Sequence, residues 1–116
     1  MMALRAIGAY WGDYSIRLKQ SGGGLGNAAL TAAGTKEQQE KWGHLTLSMA
    51  ITEPGCGSDP SMVQCTAELD GDEWVINGTK TFITNGGMAG FYSVMCQTDS
   101  ECQPSYRGIS LILVEA

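Results

Sequence analysis

The sequence predicts an α+β chain, with an α-helical segment over residues 1–44 followed by an antiparallel β-barrel or sandwich domain over 45–116. Two observations predict it. Apolar residues recur at helical spacing before His44, and short β-favouring runs replace that pattern after it. Those runs are separated by the turn signals Asp70-Gly71-Asp72 and Asn77-Gly78. A length of 116 residues allows one domain or part of one.

In order along the chain, Ala3, Ile7, Tyr10, Trp11, Tyr14 and Leu18 sit at three- and four-residue steps, as one buried helix face requires. Gln20-Ser21-Gly22-Gly23-Gly24 breaks that helix, because consecutive glycines cost backbone entropy in any regular element. A second, alanine-rich helix is expected over 25–33, stopped by Gly34. Thr35 and Gln38 have the spacing of a capping box, which would launch a short polar helix through about Lys41. Leu45 to Ile51 then forms an apolar run.

Strands are expected over 64–69 and 73–76, joined by the turn at Gly71. Further strands are expected over 79–84, 91–98 and 108–115, with the polar stretch 99–107 as a loop. Their inward residues would include Ile51, Val75, Ile83, Val94 and Leu111. The largely apolar last strand runs to the chain end with nothing after it to close the sheet. A truncated β-domain is therefore expected.

Composition excludes several classes. A net charge of −5 opposes a nucleic-acid surface, and no apolar run reaches the length of a membrane span. Arg5, Asp13 and Arg17 interrupt the N-terminal apolar residues, which makes a poor signal peptide. Cys56, Cys65, Cys96 and Cys102 are too irregularly spaced for a zinc site, and the lone His44 cannot complete one. No metal is expected, and the cysteines read as reduced thiols.

The stretch Thr52-Glu53-Pro54-Gly55-Cys56-Gly57-Ser58-Asp59 follows directly on the apolar run. A buried strand ending at small, polar and glycine residues can present N–H groups and hydroxyls at its edge, which suits a large cofactor carrying phosphates. Residues 76–87, ending Thr84-Asn85-Gly86-Gly87, form a second strand-and-loop unit of the same kind. Each residue also has an ordinary reading. Thr52 and Thr84 fit strands by propensity alone, Asp59 could cap the following segment, and Lys80 could be a solvated strand residue.

Together these motifs resemble the acyl-CoA dehydrogenase family, and the resemblance covers nearly the whole chain. The stretch from Ala33 to Trp42 is similar to the end of that family's N-terminal helical domain. Residues 50–59 are similar to its first flavin strand and phosphate loop, and 77–87 to its second. The resemblance implies FAD as cofactor, with Met49, Ala50, Ile51 and Thr52 lining the ring and Thr52 donating to its pyrimidine edge. It likewise implies Phe82, Ile83 and Thr84 against the ring, Thr84 lying near N5, and Gly57 and Ser58 by the pyrophosphate. Ser58 would also touch the acyl-CoA substrate. Phe82 departs from the tryptophan many members carry, keeping an aromatic wall without the indole donor.

No catalytic residue is nominated. The family's proton-abstracting carboxylate lies on a C-terminal helical domain that this sequence does not contain, and Glu53, Glu68 and Glu73 are not at matching positions. Implied partners are an acyl-CoA substrate, an electron-transfer flavoprotein as electron acceptor, and further copies of the chain in a full-length homo-oligomer. The implied location is the bacterial cytoplasm, or the mitochondrial matrix in a eukaryote. An acyl-CoA oxidase, or a non-catalytic β-module that has lost the flavin, are the alternative readings.

Overall fold

A computed structural model describes residues 24–116. The helix expected over Ala3 to Leu18 lies outside the described residues. Helix α1 spans Gly24–Ala33, where alanine and leucine dominate, and ends as the Gly34 N–H donates to the Leu30 carbonyl at 2.9 Å. Helix α2 spans Lys36–Trp42 behind the expected capping box. The Gln38 N–H donates to Thr35 Oγ1 at 3.2 Å, and the Thr35 N–H donates to Gln38 Oε1 at 2.8 Å.

Five strands follow: β1 (Leu47–Ala50), β2 (Thr66–Asp70), β3 (Glu73–Asn77), β4 (Phe91–Gln97) and β5 (Ile109–Glu115). The β2–β3 hairpin forms as expected, with Asp70 opposite Glu73 and Gly71 at φ 62 in the turn. The centre of the sheet is β4. One edge of it is taken along its whole length by antiparallel β5. Its other edge is shared, because β1 has just four residues. Parallel β1 covers 91–94, and β2 enters beyond it, opposite Gln97.

The fold is α+β, but the sheet is mixed rather than antiparallel. The chain leaves β1, builds the β2–β3 hairpin and returns to β4 in β1's own direction, so that pair is parallel. Among the described residues the strands form one five-stranded sheet. The strand expected over 79–84 is absent. Phe82 at φ 55 and Asn85 at φ 63 are left-handed, and neither conformation continues a pleat.

Two apolar clusters pack against the sheet. Leu30 from α1 meets Leu47 and Phe91, with Trp42, Leu45 and Leu113 closing over them. The Trp42 and Phe91 rings stack at 4.8 Å between centroids. The second cluster is Val63, Cys65, Ala67 and Cys96, flanked by Ile76, Val94, Met95, Ile109 and Ile112. Of the expected inward residues, Ile51, Ile83 and Val94 are half-buried, while Val75 and Leu111 are exposed. Register explains Val75. Ala67 faces Ile76 on the core side, so the adjacent pair Glu68 and Val75 points the other way.

Candidate functional site

The apolar segment 47–50 forms β1, and the irregular segment after Gly78 is tied to it and to the residues that follow it. The Thr81 N–H donates to the Thr52 carbonyl at 2.8 Å and Ser48 Oγ donates to the Thr84 carbonyl at 2.6 Å, while the Gly90 N–H donates to the Thr46 carbonyl at 3.0 Å just ahead of the parallel β1–β4 pair. As one segment advances from 81 to 84 the other retreats from 52 to 48. Met49, Ala50, Ile51 and Thr52 thus lie alongside Phe82, Ile83 and Thr84, although about thirty residues separate the two groups in sequence.

Exposure within the pair of segments is uneven. Ala50 is buried, and Met49, Ile51, Thr52 and Ile83 are half-buried. Thr84 is exposed, so its hydroxyl is open while its carbonyl is held. Phe82 is 96% exposed at a left-handed φ. An exposed ring of this size offers an apolar face open to contact.

The loop after Thr52 turns sharply, with Glu53 and Cys56 exchanging both backbone hydrogen bonds at 2.8 and 3.1 Å. Cys56 is buried, and its thiol donates to the Asp59 carbonyl at 3.1 Å. That is a structural use. Asp59 Oδ1 accepts from the Ser61 N–H at 3.0 Å and from Ser61 Oγ at 2.6 Å, capping the 3₁₀ turn Pro60–Met62 as its ordinary reading required. Ser61's hydroxyl and amide hold the Asp59 carboxyl below its ordinary pKa. Gly57 and Ser58 are exposed, and no atom lies within 4 Å of where a Cβ on Gly57 would sit. Ser58 shares no hydrogen bond with the Phe82–Thr84 segment.

Beneath this surface lies a buried ion pair that sequence reasoning missed. Lys80 Nζ donates to Glu53 Oε1 at 2.7 Å and to the Ile51 carbonyl at 3.1 Å, with the two side chains 10% and 5% exposed. Glu53 also accepts from the Gln64 N–H at 2.8 Å and the Cys65 N–H at 2.9 Å. Burial works against ionising this carboxyl. The bonds from Lys80, Gln64 and Cys65 outweigh it and lower the pKa. The solvated reading of Lys80 is thereby overturned. Neither residue carried a pairing signal, since one follows an apolar strand and the other a glycine turn.

Around Thr52 the polar groups are engaged one by one. The Ile51 carbonyl accepts from Lys80, the Thr52 carbonyl from Thr81, and the Glu53 N–H donates to Cys56.

The chain's cysteines are free thiols, and Cys65 Sγ and Cys96 Sγ lie 3.7 Å apart in the second cluster. Burial first, then the neighbouring Cys65 thiol, push the Cys96 pKa up to about 12. Among the described residues no three His, Cys, Asp or Glu side chains could hold a metal, and no helix is long and apolar enough to cross a membrane.

The family model for the acyl-CoA dehydrogenase middle domain matches residues 48–116. The chain belongs to the acyl-CoA dehydrogenase family. It is similar to the mitochondrial long-chain specific acyl-CoA dehydrogenase of Mus musculus, at 43% identity over 88 residues, covering 71% of this chain and 20% of that one. Among solved structures, an acyl-CoA dehydrogenase from Geobacillus kaustophilus superposes with a TM-score of 0.72 at 45% identity, covering 77% of this chain and 25% of that one. A glutaryl-CoA dehydrogenase from Mycobacterium smegmatis in complex with FADH2 gives a TM-score of 0.73 at 33% identity, covering 90% and 27%. The chain spans about a fifth of the length of the curated relatives it matches.

For an acyl-CoA dehydrogenase the implied cofactor is FAD, and the residues present fit it. A half-buried threonine at Thr52, a bared aromatic at Phe82, an exposed threonine at Thr84 and the unfilled space at Gly57 lie on or beside two adjoining segments. These are the donor, wall and clearance that a flat ring with a polar edge requires.

Proposed function

We propose that this chain carries the flavin-facing half of an FAD-dependent acyl-CoA dehydrogenase site, within a β-domain over 45–116 that follows the end of a helical domain over 1–44. The observation that supports it best is the tie between 48–52 and 81–84, which brings the half-buried Thr52 and the exposed Phe82 and Thr84 onto neighbouring segments.

FAD, when bound, accepts the hydride leaving the acyl β-carbon. The chain's own part is to bind and orient. Thr52 offers its amide and hydroxyl to the ring's pyrimidine edge, where donors stabilise growing negative charge. Phe82 supplies the apolar wall, Thr84 the hydroxyl by N5, and Met49, Ala50, Ile51 and Ile83 the rest of the lining. Gly57 admits the pyrophosphate, and Ser58 binds it and the acyl-CoA thioester substrate. Removal of the α-proton falls to a carboxylate elsewhere in the assembled protein. Electrons pass on to an electron-transfer flavoprotein, and the working form is a homo-oligomer in the bacterial cytoplasm or the mitochondrial matrix.

The test is a titration of the chain with FAD followed by flavin fluorescence. Saturable binding is expected, weak because much of the ring stays in water. Phe82→Ala should weaken it about 3- to 10-fold, the range of an aromatic contact. Absence of saturable binding, or indifference to Phe82→Ala, would refute the reading.

A further inference from the structure

The ion pair of Lys80 and Glu53 touches the peptide unit that carries the Thr52 N–H. The Ile51 carbonyl, which accepts from Lys80 Nζ at 3.1 Å, and the Thr52 N–H are two ends of a single resonant amide. A cation on the oxygen draws electron density from the nitrogen and makes the N–H a stronger donor. We propose that Lys80 is a positioning residue of the candidate site, which holds the Thr52 segment in place and strengthens the Thr52 N–H toward an electron-rich ring edge. The flavin side of this proposal rests on the function proposed above, while the polarisation of the amide stands on the geometry alone.

Three features support more than a simple tie. First, Lys80 and Thr81 are consecutive and bracket Thr52: the Lys80 side chain holds the carbonyl before it and the Thr81 amide holds its own. Any shift of the 80–84 segment therefore moves Thr52 with it. Second, the ammonium cannot wander. Glu53 Oε1 fixes it at 2.7 Å, and Glu53 is fixed in turn by two backbone amides of 64 and 65. Third, the pair is nearly shut off from water, so the field at the Ile51 carbonyl is weakly screened. A donor strengthened in this way acts most on the ring state with the most negative edge, and so favours reduced over oxidised flavin.

The experiment uses the ¹⁵N-labelled chain as wild type, as Lys80→Arg and as the double variant Lys80→Met/Glu53→Gln. The double variant removes both buried charges together, so the fold is not left with one uncompensated ion, and glutamine keeps one of the two acceptor oxygens that the 64 and 65 amides use. The Thr52 amide proton should move upfield in the double variant and stay near its wild-type position in Lys80→Arg, with the β1 and β4 amides in place in both. A Thr52 resonance unmoved in a folded double variant overturns the proposal, since a merely structural pair would behave that way. In parallel, oxidised and reduced FAD are titrated against each protein. The preference for reduced FAD should fall about fivefold in the double variant, the step between a charge-assisted and a neutral hydrogen bond. Binding with an unaltered ratio refutes the role of Lys80 alone. A wild-type chain that takes up no FAD refutes the flavin reading itself, and the amide shift still decides the polarisation.

Discussion

Gly78 lies so close to Cys65 that a Cβ built on it would fall 2.8 Å from the Cα, Cβ and Sγ of that residue. Its φ of 149° is itself a conformation that side-chain-bearing residues avoid. The contact is where the chain leaves the β2–β3 hairpin for Lys80, so it joins the second apolar cluster to the ion pair under the site. Gly78→Ala should cost about 2–4 kcal/mol, from strain and overpacking together. Urea denaturation of the two chains measures it, and a loss near zero would show that Cys65 can yield.

Acid should weaken the fold through Glu53. Its folded pKa is lowered despite burial, by the bonds from Lys80 and the two amides. A lowered folded value means that the stabilisation is fully present above the unfolded carboxylate value of about 4.3, and is lost as pH falls through the folded one. Protonation also strands the Lys80 ammonium without its partner. Glu53→Gln should therefore lower stability at neutral pH by about 3–5 kcal/mol, as breaking a buried pair does. Thermal melts from pH 7 down to pH 3 should show a correspondingly shallower acid limb in that variant. An identical limb in both chains would assign acid sensitivity to other carboxylates.

Thr84 separates structure from chemistry within one residue. Its carbonyl accepts from the buried Ser48 hydroxyl, whereas its own side chain is exposed. Thr84→Val keeps the first and removes the second. The melting temperature should hardly change, while flavin reduction in the assembled enzyme should slow about 10- to 1000-fold if that hydroxyl donates in the transition state. A full-rate variant would remove Thr84 from the mechanism.

Much of the local structure was legible because local chemistry decides it. The capping box at Thr35, the glycine stop at Gly34 and the turn at Gly71 each depend on residues within a few positions of one another. The core was less legible. Val75 and Ile76 are both β-branched and adjacent, and only pairing with Glu68 and Ala67 decides which of them faces inward. Phe91, wholly buried beneath Trp42, is likewise known as central from the position of α2 rather than from its own neighbours in sequence. At the candidate site the motif residues were visible as types. What sequence could not show is that 79–84 lies against 48–52 as an irregular segment, because that depends on left-handed Phe82 and Asn85 and on the distant Ser48 and Thr52. The Lys80–Glu53 pair was hidden for the same reason.

The 116-residue chain should not turn over an acyl-CoA by itself. A general base works best with a pKa near the working pH, and the two carboxylates nearest the Thr52 segment are both shifted the other way. Glu53 has its oxygens taken by Lys80 and two amides, and Asp59 is held down by the Ser61 hydroxyl and amide. Glu68 and Glu73 lie on the far hairpin, in register with Val75 and Asp70 rather than with any site segment. A positioned base contributes about 10²–10⁴-fold, and the open surface around Phe82 gives up orientation as well. Purified chain mixed with FAD, an acyl-CoA and an artificial electron acceptor should therefore show no steady turnover above a protein-free control. Sustained reduction of the acceptor, abolished by Asp59→Asn but not by Phe82→Ala, would identify Asp59 as a working base and reverse the assignment of that residue to capping.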